Sequence, residues 1–137
     1  RKSRVYNNLG LAYANMEKYD QAFEAFRKGG NEAQAYNNLG VALKAQGKLD
    51  EAIECYQKAI ELDPGNPDHA RWLGMVYLDL GDFEAGERWM RHAMEMAPNQ
   101  YASLWGAIYL ARYIGDHEQA VASAETMREL APDDRFN

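Results

Sequence analysis

The stretch Ala33–Pro64, AQAYNNLGVALKAQGKLDEAIECYQKAIELDP, decides the reading of this chain. Tyr36, Leu39, Gly40 and Leu43 fall at i, i+3, i+4 and i+7, which marks one apolar face of a helix. Gly47 interrupts the pattern, and a second helical stripe follows through Ala52, Tyr56, Ala59 and Ile60. Asp50 and Glu51 lie in the first turn of that second helix, where carboxylates meet the positive end of the helix dipole. Asp63-Pro64-Gly65 stops it, because proline cannot continue a helix interior. The stretch therefore predicts a helix–turn–helix hairpin.

The same hairpin is written four times. First-helix anchors recur as Leu9, Leu39, Leu73 and Ala107, spaced 30, 34 and 34 residues apart. Small second-helix anchors recur as Ala22, Ala52, Gly86 and Ala120 with the same spacings. Pro64, Pro98 and Pro132 follow one another at 34 residues within ELDP, EMAP and ELAP. Three independent features in one register predict a stack of hairpins, each too small to bury its own apolar faces.

Length and composition agree with one all-α domain over residues 1–137, with units at about 3–32, 33–66, 67–100 and 101–134. Residues 135–137, within Asp133-Asp134-Arg135-Phe136-Asn137, read as the opening of a further unit, and the chain reads as an excised fragment. No apolar run reaches the roughly 18 residues of a membrane span, so membrane insertion is not expected. Cys55 is the single cysteine and excludes an internal disulfide. The compartment stays open between cytoplasm, slightly favoured, and periplasm. A net charge of −6 argues against nucleic acid as a partner.

In the first unit, Tyr6, Leu9, Gly10 and Tyr13 form the apolar face of the first helix. The second helix is four residues short, which removes about one turn while changing phase by only ~40°. Asn31 and Gln34 have capping-box spacing ahead of the next helix. Asn66-Pro67 supplies an N-cap and a first-turn proline to the third unit, and Asp116 with Gln119 caps the last helix. The fourth unit departs most: Ala107-Ile108 replaces Leu-Gly, and Ala124 replaces an aromatic residue. Helix breaks are expected near Glu17, Gly47, Gly81 and Gly115.

The period and these anchors resemble the tetratricopeptide repeat over Ser3 to Asp134. The resemblance implies a right-handed α-solenoid of antiparallel helix pairs, with the first helix of each pair lining a concave groove. It further implies a non-catalytic interaction module, without cofactor, that binds an extended peptide or a partner protein's segment.

On a helix turning 100° per residue, the face opposite the apolar stripe can be assigned unit by unit. It carries Arg4, Asn7 and Asn8 in the first unit and Asn37, Asn38 and Lys44 in the second. In the third it carries Asp68, Arg71, Trp72, Met75 and Asp79, and in the fourth Trp105, Tyr109, Arg112 and Tyr113. The groove is expected to be amide-rich at one end and aromatic at the other. Asn8 and Asn38 occupy matching positions, similar to the asparagine ladder of tetratricopeptide arrays attached to glycosyltransferases, with Trp72 and Gly106 breaking the ladder. An amide offers donor and acceptor together and so reads a peptide backbone without its side chains. Trp72, Trp105, Tyr109 and Met75 have the character of binding anchors. Four groove cations against Asp68 and Asp79 leave room for an acidic group on the ligand.

The family's clamp for acidic chaperone tails maps here onto Asn7, Leu11, Asn38, Asp68 and Trp72; only Asn38 fits, and Asp68 would repel a carboxylate. His69, His92 and His117 are dispersed, and His117-Glu118 lacks the second histidine of a zinc helix, so no metal site is expected. The competing expectation is a structural arm or a substrate-recruiting extension, with end-to-end self-association through an uncapped last helix exposing Val121, Ala124 and Met127.

Overall fold

The computed structural model describes residues 2–98 and 101–130. Eight helices and no strand occur among them: α1 Lys2–Asn15, α2 Tyr19–Gly29, α3 Glu32–Ala45, α4 Leu49–Leu62, α5 Pro67–Leu80, α6 Phe83–Met96, α7 Tyr101–Ile114 and α8 His117–Leu130. Pro132 and the expected opening of a further unit at Asp133–Asn137 lie outside the described residues. The short second helix of the first unit is α2, with 11 residues against 14 in α4.

The turns obey one rule. Glu17, Gly47, Gly81 and Gly115 all have positive φ, between 60° and 88°. In each turn a later amide reaches five residues back: Lys18 to Tyr13, Lys48 to Leu43, Asp82 to Tyr77 and Asp116 to Ala111, each at 2.9 Å. That is the left-handed helix ending in which glycine avoids a Cβ clash. Glu17 alone carries a side chain there, at φ 60°. Glu17→Gly is therefore expected to raise stability by roughly 0.5–1 kcal/mol. The exposed Lys48–Glu17 pair at 3.0 Å that it deletes contributes little. Thermal melts of the two chains check this.

Helix starts are equally explicit. Asn31 Oδ1 accepts from the Gln34 amide at 2.9 Å, Asn66 Oδ1 from Asp68 at 3.0 Å, and Asp116 Oδ1 from Gln119 at 3.0 Å. Each satisfies an amide that the first turn leaves without an intrahelical partner.

Each helix packs on its own partner and on the adjacent pair. The first helices α1, α3, α5 and α7 also touch one another in succession, whereas the second helices have no comparable contacts. The stack therefore curves with its first helices inside. Phe26, Tyr56, Leu73, Val76, Met90 and Leu110 are at most 1% exposed and form its core. Leu9 is 42% exposed; among the described residues α1 packs on α2 and α3 alone.

Within the first three hairpins a glycine on the first helix receives a large side chain from the second. A Cβ on Gly10 would lie 2.5 Å from the Phe26 ring, one on Gly40 2.8 Å from Tyr56, and one on Gly74 2.6 Å from Met90. In the fourth unit the sizes are exchanged: Ile108 stands on the first helix and Ala124 on the second. Met127, expected at the exposed end, is 6% exposed. It shares a position with Ala59 and Ala93, which are buried to 0% and 2% exposure.

Candidate functional site

The first helices bring Asn7, Asn37, Asn38 and Trp72 together around a polar hollow of about 320 Å³, with Ser3, Gln34, Asn66, Asp68 and His69 completing the wall. The hollow lies at the N-terminal ends of α1, α3 and α5. Its lining is mainly neutral amides, each able to donate and accept. Arg4 and Asn8 are exposed side chains on α1.

The expected aromatic residues are distributed rather than gathered. Trp72 is half-buried, its ring 6.4 Å from that of Tyr56 at 13°, with the Arg71 guanidinium 5.5 Å above it. Met75 packs against Leu78, Met90 and Leu110. Tyr109, Tyr113 and Arg112 line a separate hollow of about 430 Å³. Trp105 is 50% exposed and joins Ile108, Val121, Ala124 and Met127 around a hollow of about 500 Å³ at the end of the stack. A 100° wheel groups residues by face but cannot separate the open groove from the end of the array.

Charges on the groove face pair with one another. Lys44 Nζ is 3.2 Å from Asp79 Oδ2, and Arg71 is 3.1 Å from Asp68. The Tyr109 and Tyr113 hydroxyls both donate to Asp79 Oδ1, at 2.9 and 3.1 Å. Lys44, Asp79 and the two phenols thus join three successive units. Burial, reinforced by Tyr113 and Asp79, holds the Tyr109 phenol protonated well above its ordinary range. Among the described residues no ion pair involves Arg4 or Arg112. The cationic excess read from the groove face is thereby reduced to its two ends.

His69 is the residue that the sequence reading passed over. It is 2% exposed, with Nδ1 3.1 Å from Asn37 Oδ1 and Nε2 3.7 Å from Asp63 Oδ2. Aligning the units shows the signal: positions 35 and 103, at the same register, hold the small buried residues Ala35 and Ser103. Burial lowers the His69 pKa, outweighing the opposite pull of Asp63 and Asp68. The unfolded chain therefore binds a proton at higher pH than the folded one. Stability is expected to fall as pH drops through the ordinary histidine range near ~6.5, down to the lowered folded value, and to be insensitive to this group above that window. Urea melts of wild type and His69→Ser between neutral and mildly acid pH should show this component only in wild type.

No group of three or more His, Cys, Asp or Glu residues suited to a metal occurs among the described residues. No described helix is long and apolar enough to cross a membrane. Burial pushes the Cys55 thiol up to about 11, which removes thiolate character.

The chain matches the tetratricopeptide repeat family over residues 3–29 and 33–66 in one family description and over 55–88 in a second. Comparison with curated protein sequences gives no match. Among solved structures it resembles the first tetratricopeptide domain of Spaghetti (RPAP3) bound to the HSP90 peptide SRMEEVD, with 26% identity, a TM-score of 0.67, and 75% of this chain and 84% of that one covered. YrrB, described as a tetratricopeptide protein with an unusual peptide-binding site, gives 20% identity and a TM-score of 0.66, with 98% and 71% covered. Pseudomonas aeruginosa pilF gives 19% identity and a TM-score of 0.63; 99% of this chain is covered, and it spans 64% of that one.

Proposed function

The chain belongs to the tetratricopeptide repeat family, and from that premise we propose that it is a non-catalytic scaffold whose concave face holds an extended peptide segment. One observation carries the reading: Asn7, Asn37 and Asn38, from successive first helices, share one polar hollow with Trp72 beside them. Neutral amides suit the alternating donors and acceptors of an extended backbone. The half-buried face of Trp72 offers an apolar side chain a platform. The Spaghetti domain takes the acidic peptide SRMEEVD. Here Asp68 stands in the hollow, and Lys44 and Arg71 are already paired, so an uncharged segment suits this groove better. Arg4, Arg71 and Arg112 act at its margins, on association rate and salt dependence. Tyr109 acts at the separate hollow it shares with Arg112 and Tyr113, Met75 supports the core beneath the face, and Trp105 serves the end of the stack.

A peptide selected by display on the intact chain tests this. Asn7→Ala/Asn37→Ala is expected to weaken its binding by roughly 1–3 kcal/mol by calorimetry, as loss of two hydrogen bonds should. Lys58→Ala, on the opposite side, should leave it unchanged. Equal affinities in all three would remove the groove from consideration.

A second reading, end-to-end self-association, has its own support. Phe23 of α2 packs on Tyr36 of α3 with ring centroids 4.7 Å apart. The corresponding residues at the two ends are Val121, 58% exposed, and Tyr6, which lines a hollow of about 350 Å³. A second copy docking head to tail would repeat that contact. Sedimentation that depends on concentration in wild type and not in Val121→Glu supports it; a strict monomer at all concentrations ends it.

A further inference from the structure

The cradle at the N-terminal ends of α1, α3 and α5 contains one feature that the repeat does not need. At the register of His69 the second and fourth units place Ala35 and Ser103, both buried, so packing there is satisfied by a small side chain. The third unit instead buries an imidazole to 2% exposure. Its Nδ1 meets Asn37 Oδ1 at 3.1 Å. The atom of Asn37 that faces the ring is its amide oxygen, which only accepts, and this orientation assigns the proton of the neutral ring to Nδ1. Nε2 is then an unprotonated acceptor, 3.7 Å from the Asp63 carboxylate and without a hydrogen bond from any protein group. A buried polar atom left in that state costs stability and calls for an explanation.

The contact fixes Asn37. With Oδ1 turned to a protonated Nδ1, the carboxamide's two N–H donors sit on the other side of the group. No protein acceptor takes them among the described residues, and Asn37 lines the hollow. Without the imidazole, the amide could present either its oxygen or its nitrogen.

We infer that His69 is a positioning residue for the groove: it locks the Asn37 carboxamide with its N–H donors turned to the hollow, which thereby takes a neutral carbonyl, such as that of a peptide bond, in preference to a carboxylate. The inference rests on the peptide-binding reading above and names the group recognised at that point. The preference for a neutral oxygen follows from Asp68 in the hollow wall, from Asp63 beside His69, and from the engagement of Arg71 with Asp68. Burial lowers the His69 pKa and keeps the ring neutral at pH 7, so the ring adds no positive charge to attract an anion.

Nuclear magnetic resonance on the intact chain tests this in two steps. Long-range proton–nitrogen correlation at pH 7 should show His69 protonated on Nδ1 and bare on Nε2; the opposite tautomer overturns the inference. N-methylacetamide, a minimal peptide bond, should then shift the Asn37 side-chain N–H signals well beyond those of exposed Asn8, while acetate should not. In His69→Ser that excess should shrink about fivefold or more, matching the loss of one oriented hydrogen bond. His69→Asn, whose amide N–H can replace the Nδ1 donor, should restore most of it. An excess that persists in His69→Ser, or an equal response to acetate, overturns the assignment. The tautomer step uses no ligand, so it stands or falls separately from whether a selected peptide occupies the groove.

Discussion

Tyr56→Ala is expected to destabilise the stack by about 3–5 kcal/mol, the range for deleting a large buried side chain. Tyr56 is 0% exposed and is packed with Ala52, Leu73 and Val76 in the central cluster. Its ring fills the space above Gly40 and supports Trp72 of the next unit, so its removal loosens two interfaces together. The effect comes from packing and not from the hydroxyl, which has no protein hydrogen-bond partner. Tyr56→Phe should therefore stay within about 1 kcal/mol of wild type. Lys58→Ala, an exposed change on the same helix, should cost under ~0.5 kcal/mol. Chemical denaturation of the three variants decides the matter, and equal midpoints for Tyr56→Ala and Lys58→Ala would contradict the core assignment.

The second large effect is a reversal of sign. Gly40→Ala would place a methyl 2.8 Å from the Tyr56 ring, closer than a real Cβ contact allows. In wild type the substitution should cost about 1–3 kcal/mol through overpacking, even though alanine favours the helix. With Tyr56 already reduced to alanine the clash is gone, because the atoms nearest that Cβ belong to the Tyr56 ring. There Gly40→Ala should stabilise by roughly 0.5–1 kcal/mol. The resulting coupling of about 1.5–4 kcal/mol spans the upper part of the range for residues in direct contact and beyond. At the corresponding positions the fourth unit carries Ile108 and Ala124, both lining the hollow at the end of the stack. Additive effects in the double-mutant cycle would show that the two positions do not interlock.

The fold was legible because its information is local and repeated. Period-3.6 stripes, a glycine or Glu17 at each turn, and caps at Asn31, Asn66 and Asp116 each act over a few residues, and the structure places them where the spacing puts them. The groove was legible only as a face. Whether Lys44 is available depends on Asp79 in the next unit, and whether Tyr109 is available depends on that same carboxylate. Such pairings join residues 30 or more positions apart, which a single helix wheel does not contain. Trp105 lies at the end of the array because α7 has no later hairpin beside it among the described residues. Met127 and His69 were legible in principle. Comparing each with its counterparts, Ala59 and Ala93 for one and Ala35 and Ser103 for the other, marks both positions as interior.

Amide and side-chain shift mapping of the intact chain with a display-selected peptide tests the central claim most directly. Perturbations are expected to be confined to α1, α3, α5 and α7, strongest at Asn7, Asn37, Asn38 and the Trp72 indole. Perturbations centred on α4 and α6, or on Val121 and Tyr6 at the ends of the stack, would contradict that claim.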